Sequence, residues 1–130
     1  MAEFVNTVIN TMLDWLTGKT TPPAVAGRFI TVFNGDPTAG GTEVINTLTG
    51  SANRIALTAA MGVAAAGVAA NTAIVTFTAS AVAGATVNYV AIYDAITAGN
   101  LMAYTAVTAK VVAIGDGLSI TIGNLTIAIV

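Results

Sequence analysis

The chain contains no histidine and no cysteine, and only 8% of its 130 residues are charged. Without histidine, a serine or threonine nucleophile would lack its usual general base. Without cysteine, the chain has neither disulfide bonds nor thiolate metal ligands. The sequence also lacks nucleophile-elbow, phosphate-loop and paired-cysteine motifs. We therefore expect a protein that is not an enzyme, with no catalytic residues, no metal site and no cofactor.

Positive charge is equally scarce. The net charge is −2, and the four cations, Lys19, Arg28, Arg54 and Lys110, are scattered along the sequence. Nucleic-acid binding depends on clustered lysine and arginine that neutralise phosphates. Since no basic patch can form from this distribution, we expect no nucleic-acid partner.

Apolar residues are abundant: they make up 55% of the chain, and the mean hydropathy is +0.84. The uncharged run from Ile55 to Val75 is mostly alanine, interrupted by glycine, threonine and asparagine. A transmembrane helix needs about 20 strongly apolar residues, so we expect no membrane span. Glu3 precedes the first apolar stretch, and we expect no signal peptide. Burial of apolar surface between subunits explains the excess better, because small monomers seldom leave large apolar patches in water.

The first 18 residues carry the one clear helical pattern. Apolar residues recur at helical spacing over Ala2–Leu16, and Gly18 is placed to end the helix. The stripe either docks on the chain's own sheet or packs against neighbouring subunits or an underlying shell. Its residues are Phe4, Val5, Val8, Ile9, Met12, Leu13, Trp15 and Leu16.

From residue 27 to residue 130 the apolar period changes to two, which is typical of strands. Glycine-containing turns separate the segments, which predicts an antiparallel sandwich or barrel. Thr86–Asp94 is apolar on both faces, as expected of a central strand covered on two sides. The other predicted strands are Phe29–Phe33, Arg54–Met61, Thr72–Ser80, Leu101–Ala109, Val111–Ala113, Leu118–Ile122 and Leu125–Val130, and Gly62–Ala70 is either a loop or a bulged strand.

Two segments are the predicted assembly surfaces. The final strand reaches the last residue, so it must be held by pairing, either within the subunit or with a neighbour. The helical stripe offers the second apolar surface. The residues assigned to assembly are Phe4, Val8, Met12 and Trp15 from the helix and Leu125, Ile127 and Ile129 from the final strand.

The carboxylates of the β region are the candidates for acid–base catalysis or metal binding. A glycosidase would need two facing carboxylates, drawn from Asp36, Glu43, Asp94 and Asp116. The three aspartates lie beside turn residues, where such side chains commonly cap the backbone. A calcium site from Asp94 and Asp116 lacks a known ligand spacing.

The tyrosines have two interpretations. Tyr89, Tyr93 and Tyr104 fit core or interface packing, with a carbohydrate-stacking platform as the alternative. Tyr89 and Tyr93 lie four residues apart in one predicted strand, so alternation places them on the same side.

Several short motifs follow one another along the chain. In order they are Leu13–Gly18, Phe29–Phe33, Asp36-Pro37-Thr38, Gly41–Val44, Arg54, Asn71-Thr72-Ala73, Val75-Thr76-Phe77, Ala91–Asp94, Gly99-Asn100-Leu101 and Gly115-Asp116. This order resembles the short virion structural proteins of tailed bacteriophages. These proteins are often labelled tail-fibre proteins, and in some phages they act as capsid cement or decoration proteins. The resemblance covers nearly the whole chain, although Ile45–Asn53 replaces an expected glycine-rich segment.

A length of 130 residues predicts one domain over residues 1–130, with the N-terminal helix at 1–18 and the β region at 27–130. The resemblance implies that the β region is a jelly-roll-like antiparallel β-sandwich. It further implies a cement or decoration protein on the virion head, a homo-oligomer, commonly a trimer, bound to the major capsid protein. The alternatives are a tail or fibre component, with host-surface glycan binding as one form of it, and a glycan-degrading enzyme. The missing acid–base pair disfavours the enzyme.

Overall fold

The computed structural model describes residues 3–21, 26–77 and 83–128, and strands dominate them. The two helices are α1 (Asn6–Leu16) and α2 (Ile45–Thr49). The strands are β1 (Glu3–Phe4), β2 (Phe29–Asn34), β3 (Thr42–Glu43), β4 (Ile55–Ala56), β5 (Val68–Ala70), β6 (Val75–Phe77), β7 (Ala85–Tyr93), β8 (Leu101–Val112), β9 (Leu118–Ile120) and β10 (Thr126–Ala128).

The main sheet is six-stranded and antiparallel, in the order β1-β8-β7-β2-β3, with β4 also pairing β2. β7 lies between β8 and β2, which confirms the prediction of a central strand. Two further antiparallel pairs, β5–β10 and β6–β9, complete the strands. The expectation of a mainly β, antiparallel protein is thereby confirmed, whereas the jelly-roll sandwich stays a prediction.

The core lies against one face of the main sheet. Alternation along β2 sends Ile30 and Val32 to this face, and both are fully buried. Ile45 and Leu48, three residues apart on α2, pack in the same cluster as these strand residues. Val75 and Phe77 from β6 belong to it as well. The helix α2 and strand β6 therefore cover the sheet, and burial of these side chains excludes water from its centre.

Asn71 holds the small strand pairs against each other. Its side chain is buried, donates Nδ2–H to the carbonyls of Ala73 (2.9 Å) and Thr121 (3.0 Å), and accepts from the Leu125 N–H at Oδ1 (3.0 Å). Its backbone bonds the same turn twice, to Leu125 and Gly123. All the polar groups of one buried amide are thus matched, which joins the segment before β6 to the segment before β10.

The helix α1 has an irregular beginning and a well-formed end. Its N-cap, Val5, has no side-chain acceptor, and instead donates its N–H to the Met102 carbonyl at 3.1 Å. At the other end, Gly18 N–H bonds Trp15 and Lys19 N–H bonds Asp14, which is a Schellman motif. Gly18 has φ +75°, a backbone conformation that glycine adopts without strain. The sequence marked this residue as the stop.

Several predicted boundaries were wrong. The predicted strand Arg54–Met61 is a strand only over Ile55–Ala56, because the Leu57 carbonyl then accepts from Ala60 and Met61 and closes a turn. Met61 forms an isolated bridge with Asn71. The helix α2 had no prediction, since it is one turn long and lacks a side-chain cap. The two segments expected over 101–113 form one strand, β8. Parts of the predicted strands at 72–80 and 125–130 lie outside the described residues.

Candidate functional site

Val8, Met12 and Trp15 lie on α1, as the sequence predicted, whereas the prediction for Phe4 was wrong. The helix begins at Asn6 rather than Ala2, because the backbone before it pairs with β8 and Phe4 lies in β1. None of these four side chains is fully buried. Among the described residues, α1 has no buried side chain at all. Val8 and Met12 are half-buried, whereas Trp15 is 49% exposed. Within the described residues, the chain therefore covers the apolar side of α1 only in part: Val8 and Met12 face the rest of the chain, whereas Ile9, Leu13, Trp15 and Leu16 are exposed.

We call this surface the α1 stripe, defined by Val8, Ile9, Met12, Leu13, Trp15 and Leu16. Four of its members, Ile9, Leu13, Trp15 and Leu16, rank among the exposed large hydrophobic residues of the protein. An isolated amphipathic helix of this length has little stability in water, because helices depend on packing of their apolar face. The α1 stripe thus has the properties of a surface that is covered by something outside the single chain.

The residues of the final strand behave differently. Leu125 and Ile127 are half-buried and pack against the core cluster. The strand β10 pairs with β5 of the same chain, so its pairing is intramolecular over Thr126–Ala128. Ile129 lies outside the described residues. Neither Leu125 nor Ile127 is among the exposed large hydrophobic residues, in contrast to four members of the α1 stripe.

A groove of about 940 Å³ brings four of the seven assembly residues together: Phe4, Val8, Met12 and Ile127. Trp15 and Leu125 do not line it. Leu57 and Met61 also line it, together with the charged residues Arg28 and Asp94. The groove is thus a largely apolar recess between α1 and the β region, and the exposed members of the α1 stripe are not part of its lining.

A second constellation, which sequence reasoning missed, surrounds Arg54. The Arg54 guanidinium forms a bidentate ion pair with Glu43, at 2.7 Å from Nε to Oε1 and 3.0 Å from Nη2 to Oε2. Its side chain is only 5% exposed. Its Nη1 donates to the carbonyls of Ala95 (3.1 Å) and Ala98 (2.5 Å). Arg54 therefore links two parts of the chain that are distant in sequence: its ion pair reaches β3, and its bonds to carbonyls reach the loop after β7.

Aromatic rings and a hydroxyl complete this Arg54 cluster. The Tyr93 ring lies 3.7 Å from the guanidinium carbon and stacks with Phe33 at 6.3 Å between centroids. Thr31, fully buried, donates its hydroxyl to Glu43 Oε1 at 2.6 Å. Among the described residues, every buried side-chain polar atom has a partner. The scarcity of charge is the sequence signal that could have pointed to this cluster, because an arginine among predicted strands is suited to a specific ion pair.

The charges of the cluster favour an ionised Glu43. Burial alone would raise the pKa of its carboxyl, but hydrogen bonds from Arg54 and Thr31 and the charge of Arg54 outweigh it, so the pKa is lowered. The pKa of Tyr93 is raised, chiefly by burial. A glycosidase acid needs a carboxyl that keeps its proton near neutral pH. Glu43 is suited to a structural ion pair instead.

The turn roles predicted for Asp36 and Asp94 are confirmed. Asp36 Oδ1 accepts from the backbone N–H and the hydroxyl of Thr38, and these bonds lower its pKa. Asp94 accepts from the backbone and side-chain N–H groups of Asn100, with the same effect on its pKa. Both carboxylates therefore cap turns and remain charged at neutral pH.

The calcium alternative is wrong for geometric reasons. Asp94 follows the end of β7 and Asp116 follows the end of β8, so they lie at opposite ends of the β7–β8 hairpin. A strand of this length spans roughly 35 Å. Within the described part of the chain, no group of three or more metal-binding side chains comes together.

The tyrosines are already engaged in packing. Tyr93 contacts Arg54 and Phe33 as described. The β7–β8 register shifts between Ile92 and Tyr93. The Tyr104 hydroxyl donates to Glu3 Oε2 at 3.0 Å, which raises its pKa. Tyr93 and Tyr104 thus have intramolecular partners, as the packing interpretation predicted, and the carbohydrate-stacking alternative stays a prediction.

The lowered carboxyl pKa values predict how stability depends on pH. A depressed folded-state pKa adds stability above the unfolded value, about 4.3 for glutamate and 3.9 for aspartate, which is lost as pH falls through the folded value. The free energy of unfolding should therefore stay level from pH 7 to about 5 and decline below that. Urea unfolding at a series of pH values checks this. A marked change between pH 6 and 7 would contradict it, since the chain has no histidine.

In the structure's described ranges, no helix is both long and apolar enough to cross a membrane. Comparison with known proteins gives one family. The model of the family described as podophage GP4 fiber I protein gp80 matches residues 3–128. No curated protein matches the chain. The match extends over both the α1 stripe and the Arg54 cluster, so it includes every feature described above.

Proposed function

Because the chain belongs to the podophage GP4 fiber I protein gp80 family, and is thus a bacteriophage virion structural protein, we propose that it is a fibre subunit. The resemblance to short phage virion proteins is confirmed at the level of the family. In this proposal the chain performs no catalysis. It assembles with copies of itself, and the α1 stripe is the contact surface that holds a subunit in the virion.

The observation that carries the proposal is an amphipathic helix whose apolar side is only partly covered by the described residues. The α1 stripe leaves Ile9, Leu13, Trp15 and Leu16 exposed. Burying such side chains contributes about 25 cal/mol per Å² of apolar area removed from water. Tryptophan is also the residue type most enriched among interface hot spots. A neighbouring subunit seated on the α1 stripe would supply the packing that α1 lacks.

The capsid cement role predicted from the resemblance is the competing proposal. It places the chain on the head lattice as an oligomer, commonly a trimer, bound to the major capsid protein, in the jelly-roll-like sandwich expected of such proteins. The same apolar surfaces would serve, because a ligand of the assembled lattice stabilises it by mass action. The family's description as a fibre protein favours the fibre subunit.

Separating purified phage heads from tails and locating the chain by quantitative mass spectrometry decides between the two. A limited copy number on tails alone supports the fibre proposal. Many copies on heads would overturn it in favour of cement, and removal of the chain should then make the capsids sensitive to heat or osmotic shock. Glycan binding by the fibre is a separate question. If the fibre binds a glycan through its tyrosines, Tyr89→Ala should abolish that binding.

The α1 stripe makes a prediction at the level of one side chain. Trp15→Ala should weaken self-association by about 1–2 kcal/mol, roughly 5- to 30-fold in Kd, because it removes a large exposed apolar contact. The stability of the dissociated subunit should change by less than about 0.5 kcal/mol. Analytical ultracentrifugation measures the first quantity and dilute-solution unfolding the second.

Ile122→Ala is the matched control, since Ile122 is also exposed but lies in a turn remote from α1 in the sequence. It should leave both quantities unchanged. If Trp15→Ala instead lowers subunit stability as much as association, Trp15 belongs to the subunit's own packing, and the α1 stripe is not the contact surface.

A further inference from the structure

The sequence contains one Asn-Gly dipeptide, Asn34-Gly35. It lies where β2 ends and the following turn begins. Asn34 is exposed at the end of the strand, and Gly35 has φ +92°. In an Asn-Gly sequence the glycine backbone nitrogen can attack the asparagine side-chain amide, because no Cβ on the glycine obstructs the approach. This reaction is the usual route by which asparagine loses its amide in proteins, so the dipeptide marks a chemical weak point.

The attacking nitrogen is engaged in this protein. The Gly35 N–H donates to Asn88 Oδ1 at 2.7 Å, across 53 residues of sequence. The hydrogen bond comes from β7, the central strand, and is partly buried. A nitrogen whose proton is held in a short hydrogen bond is less readily deprotonated, and it is directed away from a neighbouring electrophile. The Asn34 side chain makes no hydrogen bond within the described residues. The hydrogen bond on the Gly35 nitrogen is therefore the restraint that can slow the reaction.

We propose that Asn34 is a deamidation site and that Asn88 protects it by holding the Gly35 N–H. In the reaction, Gly35 N attacks Asn34 Cγ, the backbone proton is lost to solvent base, and ammonia leaves as a succinimide ring forms. Water then opens either C–N bond of the ring, giving an aspartyl or an isoaspartyl linkage. No oxidant, metal or further reactant takes part. The product carries one more negative charge than the −2 of the intact chain.

The modification would strike a turn with little room. A Cβ placed on Gly41 would clash with the Gly35 carbonyl oxygen, so the two glycines pack backbone to backbone. The pairing Asn34↔Thr42 begins β3, and Phe33↔Glu43 follows it. An isoaspartyl linkage adds one methylene to the main chain at residue 34 and displaces this register. Glu43 would then be moved from Arg54, which connects the chemistry of the turn to the Arg54 cluster.

The experiment compares three proteins incubated at mildly alkaline pH: the unaltered chain, Asn88→Ala and Asn88→Asp. Loss of the Asn34 amide is followed by isoelectric focusing and peptide mass spectrometry. Removing one hydrogen bond from the nitrogen should speed the reaction by about five- to tenfold in Asn88→Ala. Asn88→Asp keeps an oxygen acceptor for the Gly35 N–H, so its rate should stay near that of the unaltered chain.

Asn46 provides the internal control, because it is also exposed but precedes threonine rather than glycine. Faster reaction at Asn34 alone supports local protection by Asn88. An equal increase at both asparagines would mean that Asn88→Ala loosens the whole fold, and would overturn the proposal, as would an unchanged rate at Asn34 in Asn88→Ala. The inference is independent of the fibre assignment, since it concerns the isolated chain.

Discussion

Glu43→Gln should lower the free energy of unfolding by about 3 kcal/mol, which is the cost of leaving a buried charge without its partner. The Arg54 guanidinium is almost fully buried, and glutamine cannot neutralise it. The neutral side chain also presents one amide N–H₂ where the guanidinium needs a second acceptor. Urea unfolding at neutral pH measures the loss, with a smaller pH dependence below pH 5 as a second sign of the missing carboxylate.

The matched control is Glu3→Gln, the same substitution at an exposed glutamate. Glu3 accepts one hydrogen bond from Tyr104 at the protein surface, so its loss should cost no more than about 0.5 kcal/mol. Combining Glu43→Gln with Arg54→Met removes both charges. The double variant should be more stable than the sum of the two single losses predicts, by more than about 1 kcal/mol. Strict additivity would show that the two side chains do not act as a pair.

Asn71→Ala should cost about 2–3 kcal/mol, because three backbone groups lose their partner together. The buried amide serves the carbonyls of Ala73 and Thr121 and the N–H of Leu125. Their loss should loosen β10 more than the central strand, because the bonds join the segments before β6 and β10. Hydrogen exchange resolved by segment, together with urea unfolding, checks both the size and the place of the effect.

Two companion variants make this test specific. Asn124→Ala removes an exposed amide of the same turn, and should change stability by less than about 0.5 kcal/mol. Asn71→Asp keeps the acceptor for Leu125 but turns a charged oxygen toward two carbonyls. Its folded-state pKa should therefore be raised, and the protein should regain stability as pH falls and the carboxyl becomes a donor. Equal effects of Asn71→Ala and Asn124→Ala would refute the assigned role.

The sequence was most informative where a single local rule decides the structure. Helical periodicity and Gly18 indicated α1 and its end, and apolar runs on both faces indicated that β7 is central. Asp36 and Asp94, which lie beside predicted turns, were correctly interpreted as turn caps. In each of these cases the partner groups lie within a few residues, or burial on both sides leaves its own pattern of apolar residues.

Sequence reasoning failed where the partner lies far along the chain. Arg54 looked like an isolated cation, yet it meets Glu43, 11 residues earlier, and the carbonyl of Ala98, 44 residues later. The predicted strand from Arg54 to Met61 was too long for a similar reason. Alternation in the sequence predicts only which face of a strand each side chain lies on. The turn at Leu57 is decided by the backbone, because the N–H groups of Ala60 and Met61 both bond to the Leu57 carbonyl.

The sequence by itself determined that this protein is mainly β and has an amphipathic helix. It also determined that the ordinary groups of enzymatic chemistry are scarce, since composition and periodicity are local properties. Only the tertiary structure decided that, among the described residues, four members of the α1 stripe stay exposed, that Glu43 and Arg54 pair, and that Asn71 and Asn88 hold distant turns. These contacts depend on strand order and register, which bring together residues that no spacing in the sequence relates.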